Sequence, residues 1–146
     1  MQGRIAKLQD SIGNPYLGVK VPFYTILLYL EKFEVIINSN NELYILELNR
    51  FKRDGENYHI TWINSMDFKN IEASSFINKE VAFDILGIGK AEKNNNKAYF
   101  LVVDCPILNS WRNELGLANI DLHITLGFDK KDVFGVSKGV DSLIKN

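Results

Sequence analysis

The chain contains two histidines, and both stand in the same tripeptide, His-Ile-Thr. The first copy is His59-Ile60-Thr61 and the second is His123-Ile124-Thr125. Three of the 146 residues are threonines, so chance would place one two positions after each histidine about once in a few thousand sequences of this composition. The repeat therefore predicts two corresponding local structures, one in each half of the chain.

Both tripeptides lie in segments with the composition of β-strands, Tyr58–Ile63 and Leu122–Phe128. Side chains alternate between the two faces of a strand, so each histidine shares a face with its threonine. The intervening isoleucine points to the opposite face, where it can join the core. A lone histidine on a strand is typically structural, but two matched motifs of this kind favour a functional site.

Each half of the chain also combines strands with one helix. Pro22 suits the first turn of a helix, and Asp54-Gly55 suits the turn of a β-hairpin. Pro106 opens a second helix, and three asparagines at 94–96 indicate another turn. This order predicts an α+β fold with two similar lobes. The predicted strands are Tyr16–Val21, Leu43–Phe51, Tyr58–Ile63, Val81–Lys90, Lys97–Val103 and Leu122–Phe128, and the predicted helices are Phe23–Phe33 and Pro106–Leu115.

Length and composition limit the class of protein. A chain of 146 residues with 46% hydrophobic residues predicts a single domain over residues 1–146. The formal net charge of −1 argues against binding long duplex nucleic acid, which requires many phosphates to be neutralised. The apolar run Val21–Leu30 is too short to cross a membrane. A single cysteine, Cys105, and an amino terminus without an apolar signal sequence favour a cytoplasmic protein.

Two imidazoles that face each other across a groove can act as a general acid–base pair. Their ordinary pKa near 6.5 allows one ring to be neutral while the other is protonated. One ring can take a proton from an attacking oxygen while the other protonates a leaving oxygen, and two threonine hydroxyls can donate hydrogen bonds to a phosphate. This chemistry needs no metal or cofactor. Two histidines without a cysteine or carboxylate at close spacing are also a poor set of metal ligands.

The paired motifs resemble those of the 2H phosphoesterase superfamily, in which two H-x-T tripeptides lie on strands of a bilobal α+β fold. The resemblance extends from Tyr16 onward, and the 64 residues between the two histidines are in keeping with a small member of the superfamily. Residues 83–89 and the following elements resemble the second lobe of the family. The ending, Leu122–Phe128 followed by Asp132–Lys138, is most similar to the Swiss army knife, RNA-repair-like branch.

This resemblance implies two antiparallel-sheet lobes with outer helices and a central groove. It also implies a metal-independent phosphodiesterase in which His59 and His123 are the acid–base pair, while Thr61 and Thr125 bind the substrate phosphate. The implied substrates are small nucleotides, RNA termini such as 2′,3′-cyclic phosphates, and cyclic or 2′-5′-linked oligonucleotides. Two cellular roles are compatible with these substrates: processing of RNA ends, or degradation of oligonucleotide immune messengers, as in some viral members that act in the host cytoplasm.

The chain departs from the family pattern at one position. Several branches carry a basic residue five positions after the second histidine, where this chain has Phe128. Additional positive charge must then come from elsewhere, and Lys138 is the first candidate, followed by Lys130 and Lys131. The run Lys52–Glu56 mixes charges of both signs and is predicted to be a solvated turn.

Other residues are candidates for contacts with the rest of a ligand. Tyr16 and Phe134 can stack on a nucleobase near the groove. The sequence Gly87-Ile88-Gly89-Lys90 lacks the spacing of a nucleotide-binding loop and is interpreted as part of a strand. Trp62 is expected in the core, since it points away from the histidine face. A hypothesis from a different class is a non-catalytic nucleotide- or phosphate-binding module with the same fold.

Overall fold

Seven strands and four helices form residues 1–145, the part of the chain that the computed structural model describes. The strands are β1 (Gln2–Gln9), β2 (Pro15–Val21), β3 (Tyr58–Ile63), β4 (Glu80–Ala82), β5 (Asp84–Lys93), β6 (Asn96–Asp104) and β7 (His123–Phe128). The helices are α1 (Leu27–Ile37), α2 (Asn40–Asp54), α3 (Ser65–Phe68) and α4 (Pro106–Glu114), with 3₁₀ turns at Phe23–Ile26, Ser74–Phe76 and Val140–Ser142. Within residues 1–145, every helix is too short or too polar to cross a bilayer.

The strands form one sheet in the order β4-β1-β2-β3-β7-β6-β5, and all neighbouring strands are antiparallel. The first four strands of this order form one lobe and the last three form the other. The lobes meet between β3 and β7, where Ile60 is paired with Ile124. The predicted α+β fold is confirmed, and its two lobes are the halves of one continuous sheet.

The apolar face of the central strands forms the main core. Ile60 and Trp62 of β3 and Ile124 of β7 have no exposed surface. Helix α4 packs on this face, where the indole Nε1 of Trp62 donates a hydrogen bond of 2.8 Å to the carbonyl oxygen of Leu108. Trp62 is therefore a core residue, as expected. The opposite face of the same strands carries the histidines and threonines.

The segment predicted as a strand at Leu43–Phe51 belongs instead to helix α2, so the predicted hairpin with β3 is wrong. Ser39 caps this helix, because its Oγ accepts a hydrogen bond from the backbone N–H of Glu42. A serine followed three residues later by a glutamate is a helix-start signal. Leu46 and Arg50, which lie one helical turn apart, are both buried. The positions of this segment that face the core, Leu43, Leu46 and Arg50, thus follow helical spacing, whereas the apolar residues Tyr44, Ile45 and Phe51 are exposed.

Helix α2 lies against strand β7 at Gly127. A Cβ atom at this position would lie 2.8 Å from the Cβ atom of Leu46 and 2.8 Å from its carbonyl oxygen. Backbone atoms of a helix cannot move aside without distorting it, so the absence of a side chain at Gly127 permits this close approach. The contact brings the carboxyl-terminal end of α2 close to the strand that carries His123.

The second half of the chain largely follows the prediction. Asn94 and Asn95 adopt positive φ angles of 52° and 63° in the turn that joins β5 to β6. Helix α4 begins at Pro106, as its sequence indicates. The strand predicted at Val81–Lys90 is divided, because β4 pairs with β1 whereas β5 pairs with β6. The amino-terminal strand β1 lies outside the predicted elements.

Replacing Gly127 with alanine is expected to destabilise the fold by about 1–3 kcal/mol, because the new methyl group would overlap the backbone of α2. The free energy of unfolding can be measured by urea denaturation. Ala118→Val, which enlarges an exposed side chain, is the matched control and should unfold at the wild-type urea concentration. An unchanged unfolding free energy for Gly127→Ala would contradict the proposed requirement for glycine.

Candidate functional site

The isoleucine pair that joins β3 to β7 lies at the centre of both tripeptides. Because these strands are antiparallel, the residue before one isoleucine lies opposite the residue after the other. His59 therefore lies across from Thr125, and Thr61 lies across from His123. Directly opposed Cβ atoms in such a ladder are about 4.5–5.5 Å apart. The two motifs thus form one polar patch with approximate twofold symmetry.

A β-bulge follows the threonine at the same position in each motif. The residue without a partner in the neighbouring strand is Trp62 in β3 and Leu126 in β7. A bulge adds one residue to a strand and shifts the alternation of side chains beyond it. In β7 this shift places Phe128 on the same face as Thr125, and Phe128 belongs to the same small apolar cluster as Phe100.

The polar patch lines a cavity of about 370 Å³. This volume is in the range of small-molecule sites. All seven site residues predicted from the sequence line it, whereas Lys130 and Lys131 are exposed and lie outside its lining. The predicted lining residues are Tyr16, His59, Thr61, His123, Thr125, Phe134 and Lys138. The further lining residues are Asp10, Ser11, Arg53, Asp54, Asn64, Ser65 and Asp132.

His123 is held by a backbone hydrogen bond. Its Nδ1 lies 2.9 Å from the carbonyl oxygen of Asp121. A carbonyl oxygen only accepts hydrogen bonds, so Nδ1 carries the proton and the lone pair of the neutral ring is on Nε2. The Phe100 ring meets the imidazole edge-on at 5.7 Å. Burial, with a smaller contribution from the Lys138 ammonium, lowers the pKa of His123 to about 4.

His59 lies beside an aromatic ring on the neighbouring strand β2. The centres of the Tyr16 and His59 rings are 5.6 Å apart, and the planes of the two rings are tilted by 59° relative to each other. Burial lowers the pKa of His59 below its ordinary value, and the Asp54 carboxylate opposes this shift. Burial and the same carboxylate raise the pKa of Tyr16 to about 12. The Tyr16 hydroxyl therefore keeps its proton at neutral pH and can donate a hydrogen bond to a ligand.

Arg53, in the last turn of α2, brings a positive charge to the cavity. Its Nε and Nη2 donate hydrogen bonds of 2.7 and 2.8 Å to the two carboxylate oxygens of Asp54, and its Nη1 donates to Asp132. The guanidinium also lies 5.0 Å from the centre of the Phe128 ring. The prediction that this charged run is only a solvated turn is wrong for Arg53 and Asp54. Both residues lie at the end of α2, just before β3. Once this segment is known to be a helix, that position in the sequence indicates that Arg53 and Asp54 lie near the site.

A second cation, Lys138, lies on the His123 side of the cavity. Its Nζ donates a hydrogen bond of 3.0 Å to Asp132 and lies about equally far from the centres of the Phe100 and Phe134 rings, at 5.6 and 5.5 Å. Burial alone would raise the pKa of Asp132, but Lys138 and Arg53 outweigh it, so this pKa lies below its ordinary value. Asp132 is therefore ionised and holds both cations next to the polar patch.

The arrangement provides acid–base groups, hydroxyl donors and paired cations around one cavity. Such a set can bind the oxygens of a phosphate group and can transfer protons on the two sides of that group. Within residues 1–145, no group of three or more histidine, cysteine or carboxylate side chains is arranged to hold a metal ion.

A protein-family model described as Swiss Army Knife, 2H phosphoesterase domain, matches residues 16–134 of the chain. The matched region contains both His-Ile-Thr tripeptides and most of the sheet. Comparisons with curated proteins and with solved structures gave no significant match. The family match confirms the resemblance seen in the sequence, and members of this family are phosphodiesterases and other phosphoesterases. The chain therefore belongs to the 2H phosphoesterase family, in its Swiss Army Knife branch.

Proposed function

We propose that this protein cleaves a phosphodiester bond in a small nucleotide, an RNA terminus, or a cyclic or 2′-5′-linked oligonucleotide. His59 and His123 are the acid–base pair of this reaction, and no metal takes part. The observation that carries the proposal is the pairing of β3 with β7, which places two imidazoles and two hydroxyls at one cavity. Their twofold arrangement suits a phosphate bound between the two rings.

In the proposed reaction one imidazole removes the proton of an attacking ribose hydroxyl or water, and the other protonates the leaving oxygen. The bond between the attacking oxygen and phosphorus forms while the bond to the leaving oxygen breaks. Positioned proton transfer of this kind contributes roughly 10²- to 10⁴-fold to a rate. The hydroxyls of Thr61 and Thr125 donate hydrogen bonds to the non-bridging oxygens, where negative charge increases in the transition state.

Arg53 and Lys138 provide the positive charge that several branches of the family carry five residues after the second histidine. Three of the five N–H donors of Arg53 are used by Asp54 and Asp132, and one of the three donors of Lys138 is used by Asp132. The remaining donors support charge-assisted hydrogen bonds to a phosphate. The partner carboxylates keep both cations in position before the ligand binds.

Aromatic rings on both sides of the patch support a diester that carries a nucleoside at each end. Tyr16 lies beside His59, whereas Phe134 lies over Lys138 on the His123 side. The Phe134 side chain is an exposed aromatic, at 72% relative exposure, which leaves its ring free to stack on a base. The net charge of −1 and the cavity volume favour a short ligand over a long duplex.

A substrate panel assayed with EDTA tests this function. The panel contains 2′,3′-cyclic mononucleotides, 3′-5′ and 2′-5′ dinucleotides and cyclic dinucleotides. We expect a diester that joins two nucleosides to be cleaved fastest, because both aromatic rings can then be used. His59→Ala and His123→Ala should each lower kcat roughly 10²- to 10⁴-fold.

Circular dichroism of each variant is the control for folding in this assay. Undiminished turnover in either histidine variant, or a requirement for a divalent metal, would contradict the mechanism. Binding of panel members without turnover would instead support a non-catalytic binding module. Fastest turnover of the cyclic mononucleotides would contradict the two-nucleoside substrate and favour RNA-end processing.

The pH dependence of kcat/KM is expected to be bell-shaped, with its maximum below pH 6.5. Burial lowers the pKa of His123 to about 4 and also lowers the pKa of His59 below the ordinary value. The rate falls toward acid as the base becomes protonated, and falls toward alkali as the acid loses its proton. Initial rates over roughly pH 4 to 8 test this expectation, and a maximum at or above about pH 6.5 would contradict it.

Replacing Arg53 with glutamine should raise KM for the best substrate roughly tenfold or more, because charge-assisted hydrogen bonds to the phosphate are lost. Lys52→Gln removes the same charge from the adjacent, exposed position of α2 and is the matched control. Steady-state kinetics should give a wild-type KM for the control. Equal changes in both variants would show that Arg53 acts only through the net charge of the protein.

A further inference from the structure

We propose that the two histidines have fixed and different roles, with His123 as the general base and His59 as the general acid. This assignment rests on the proposed phosphodiesterase function. It is carried by a difference in hydrogen bonding between the two rings, although their motifs are identical in sequence. A base must present a lone pair to the attacking group, whereas an acid must present a proton to the leaving oxygen.

The hydrogen bond from Nδ1 of His123 to the carbonyl oxygen of Asp121 fixes one neutral tautomer. The lone pair of that tautomer is always on Nε2, the other ring nitrogen. His123 is therefore ready to accept a proton without first exchanging one between its nitrogens. This is the property that a general base requires, and a backbone carbonyl supplies it independently of pH.

His59 makes no side-chain hydrogen bond to another residue within the described range 1–145. The carbonyl oxygen at the equivalent position, two residues before the histidine, belongs to Asn57 and accepts a hydrogen bond from Nη1 of Arg50 instead. A neutral His59 ring therefore has no fixed tautomer. A protonated ring carries hydrogen on both nitrogens, so tautomer choice does not affect it as a proton donor.

The charged groups around His123 act in both directions, since the Lys138 ammonium favours the neutral ring whereas the Asp132 carboxylate favours the protonated ring. Those that act on it are Lys138, Asp132 and His59, and the largest charged contribution comes from the Lys138 ammonium. The backbone N–H of Lys138 donates a hydrogen bond of 3.0 Å to the carboxylate of Asp121, and its Nζ donates to Asp132. Asp121 therefore fixes the tautomer of His123 through its carbonyl and positions the adjacent cation through its carboxylate.

The charged groups around His59 are arranged differently. Asp54 makes the largest charged contribution and favours the protonated ring. Asp132 also favours the protonated ring, whereas Arg53 and Arg50 favour the neutral ring. The neighbouring Tyr16 keeps its hydroxyl proton and adds no charge. Of the two rings, His59 is therefore the one with a carboxylate as its principal charged neighbour, and His123 is the one with a cation.

The step balances with these roles. The attacking hydroxyl transfers its proton to Nε2 of His123 as its oxygen bonds to phosphorus. The bond from phosphorus to the leaving oxygen breaks, and that oxygen takes the proton of His59. The reaction thus ends with His123 protonated and His59 neutral, and proton exchange with water restores both rings.

Two matched diesters that differ only in the leaving group test the assignment. One is a ribonucleoside 3′-phosphodiester of a second nucleoside, and the other carries 4-nitrophenolate, which leaves without needing a proton. We expect His59→Ala to lose roughly 10²- to 10⁴-fold in kcat with the first substrate but less than about tenfold with the second. His123→Ala should lose a similar large factor with both, since both need the attacking hydroxyl to be deprotonated.

Nitrogen NMR of the imidazole rings gives a readout that needs no turnover. The chain has two histidines, so the single-histidine variant His59→Asn assigns both signals. We expect His123 to show the Nδ1–H tautomer and to titrate at lower pH than His59. Lys138→Met should raise the titration pH of His123 more than that of His59, whereas Lys130→Met, at an exposed site away from the cavity, should change neither.

These outcomes separate the assignment from the function on which it rests. Absence of turnover by the wild-type protein on every diester would contradict the proposed phosphodiesterase function. In an active enzyme, a reversed leaving-group pattern, with rescue of His123→Ala by 4-nitrophenolate, would overturn the assignment alone. A His59 ring with a fixed tautomer that titrates below His123 would overturn it as well.

Discussion

The site depends on the pairing of Ile60 with Ile124, which joins the two halves of the sheet. Both side chains are fully buried, and burial of each stabilises the fold by about 1.5–3 kcal/mol. A slip of one residue in either strand would move its isoleucine to the cavity and its histidine into the core. The register that stabilises the core is therefore the register that assembles the polar patch, so folding and site geometry are specified by the same contact.

The positive charge of the site depends on a longer chain of contacts. The bulge in β7 brings Phe128 to the cavity face, where a basic residue would stand in several branches of the family. Arg53 reaches the same region from α2 and lies over the Phe128 ring. Helix α2 can approach β7 this closely because Gly127 has no side chain. The proposed function thus assigns the positive charge missing at position 128 to Arg53, a residue that is distant in sequence.

The sequence predicted the histidines, the threonines and their strands because alternation along a strand is a local property. It did not predict α2 as a helix, since the apolar residues at 43–51 are compatible with either pattern when the Ser39 cap is not considered. Because that helix was not predicted, no sequence pattern placed Arg53 near the site. The adjacency of β3 and β7 was also beyond a local pattern, because it joins segments 64 residues apart.

A local sequence pattern also could not predict the difference between the two histidines, because their motifs are identical. Two identical rings, each with the same pKa, would be in one given productive combination in at most about a quarter of the molecules, with the base neutral and the acid protonated. Separating the two pKa values, with the base lower, enlarges that fraction at any pH between them. The Lys138 ammonium makes the largest charged contribution at His123 and lowers its pKa, whereas the Asp54 carboxylate makes the largest at His59 and opposes the lowering of that pKa. In the proposed mechanism the twofold motif therefore positions the phosphate, and departures from twofold symmetry in the surrounding residues assign different roles to the two rings.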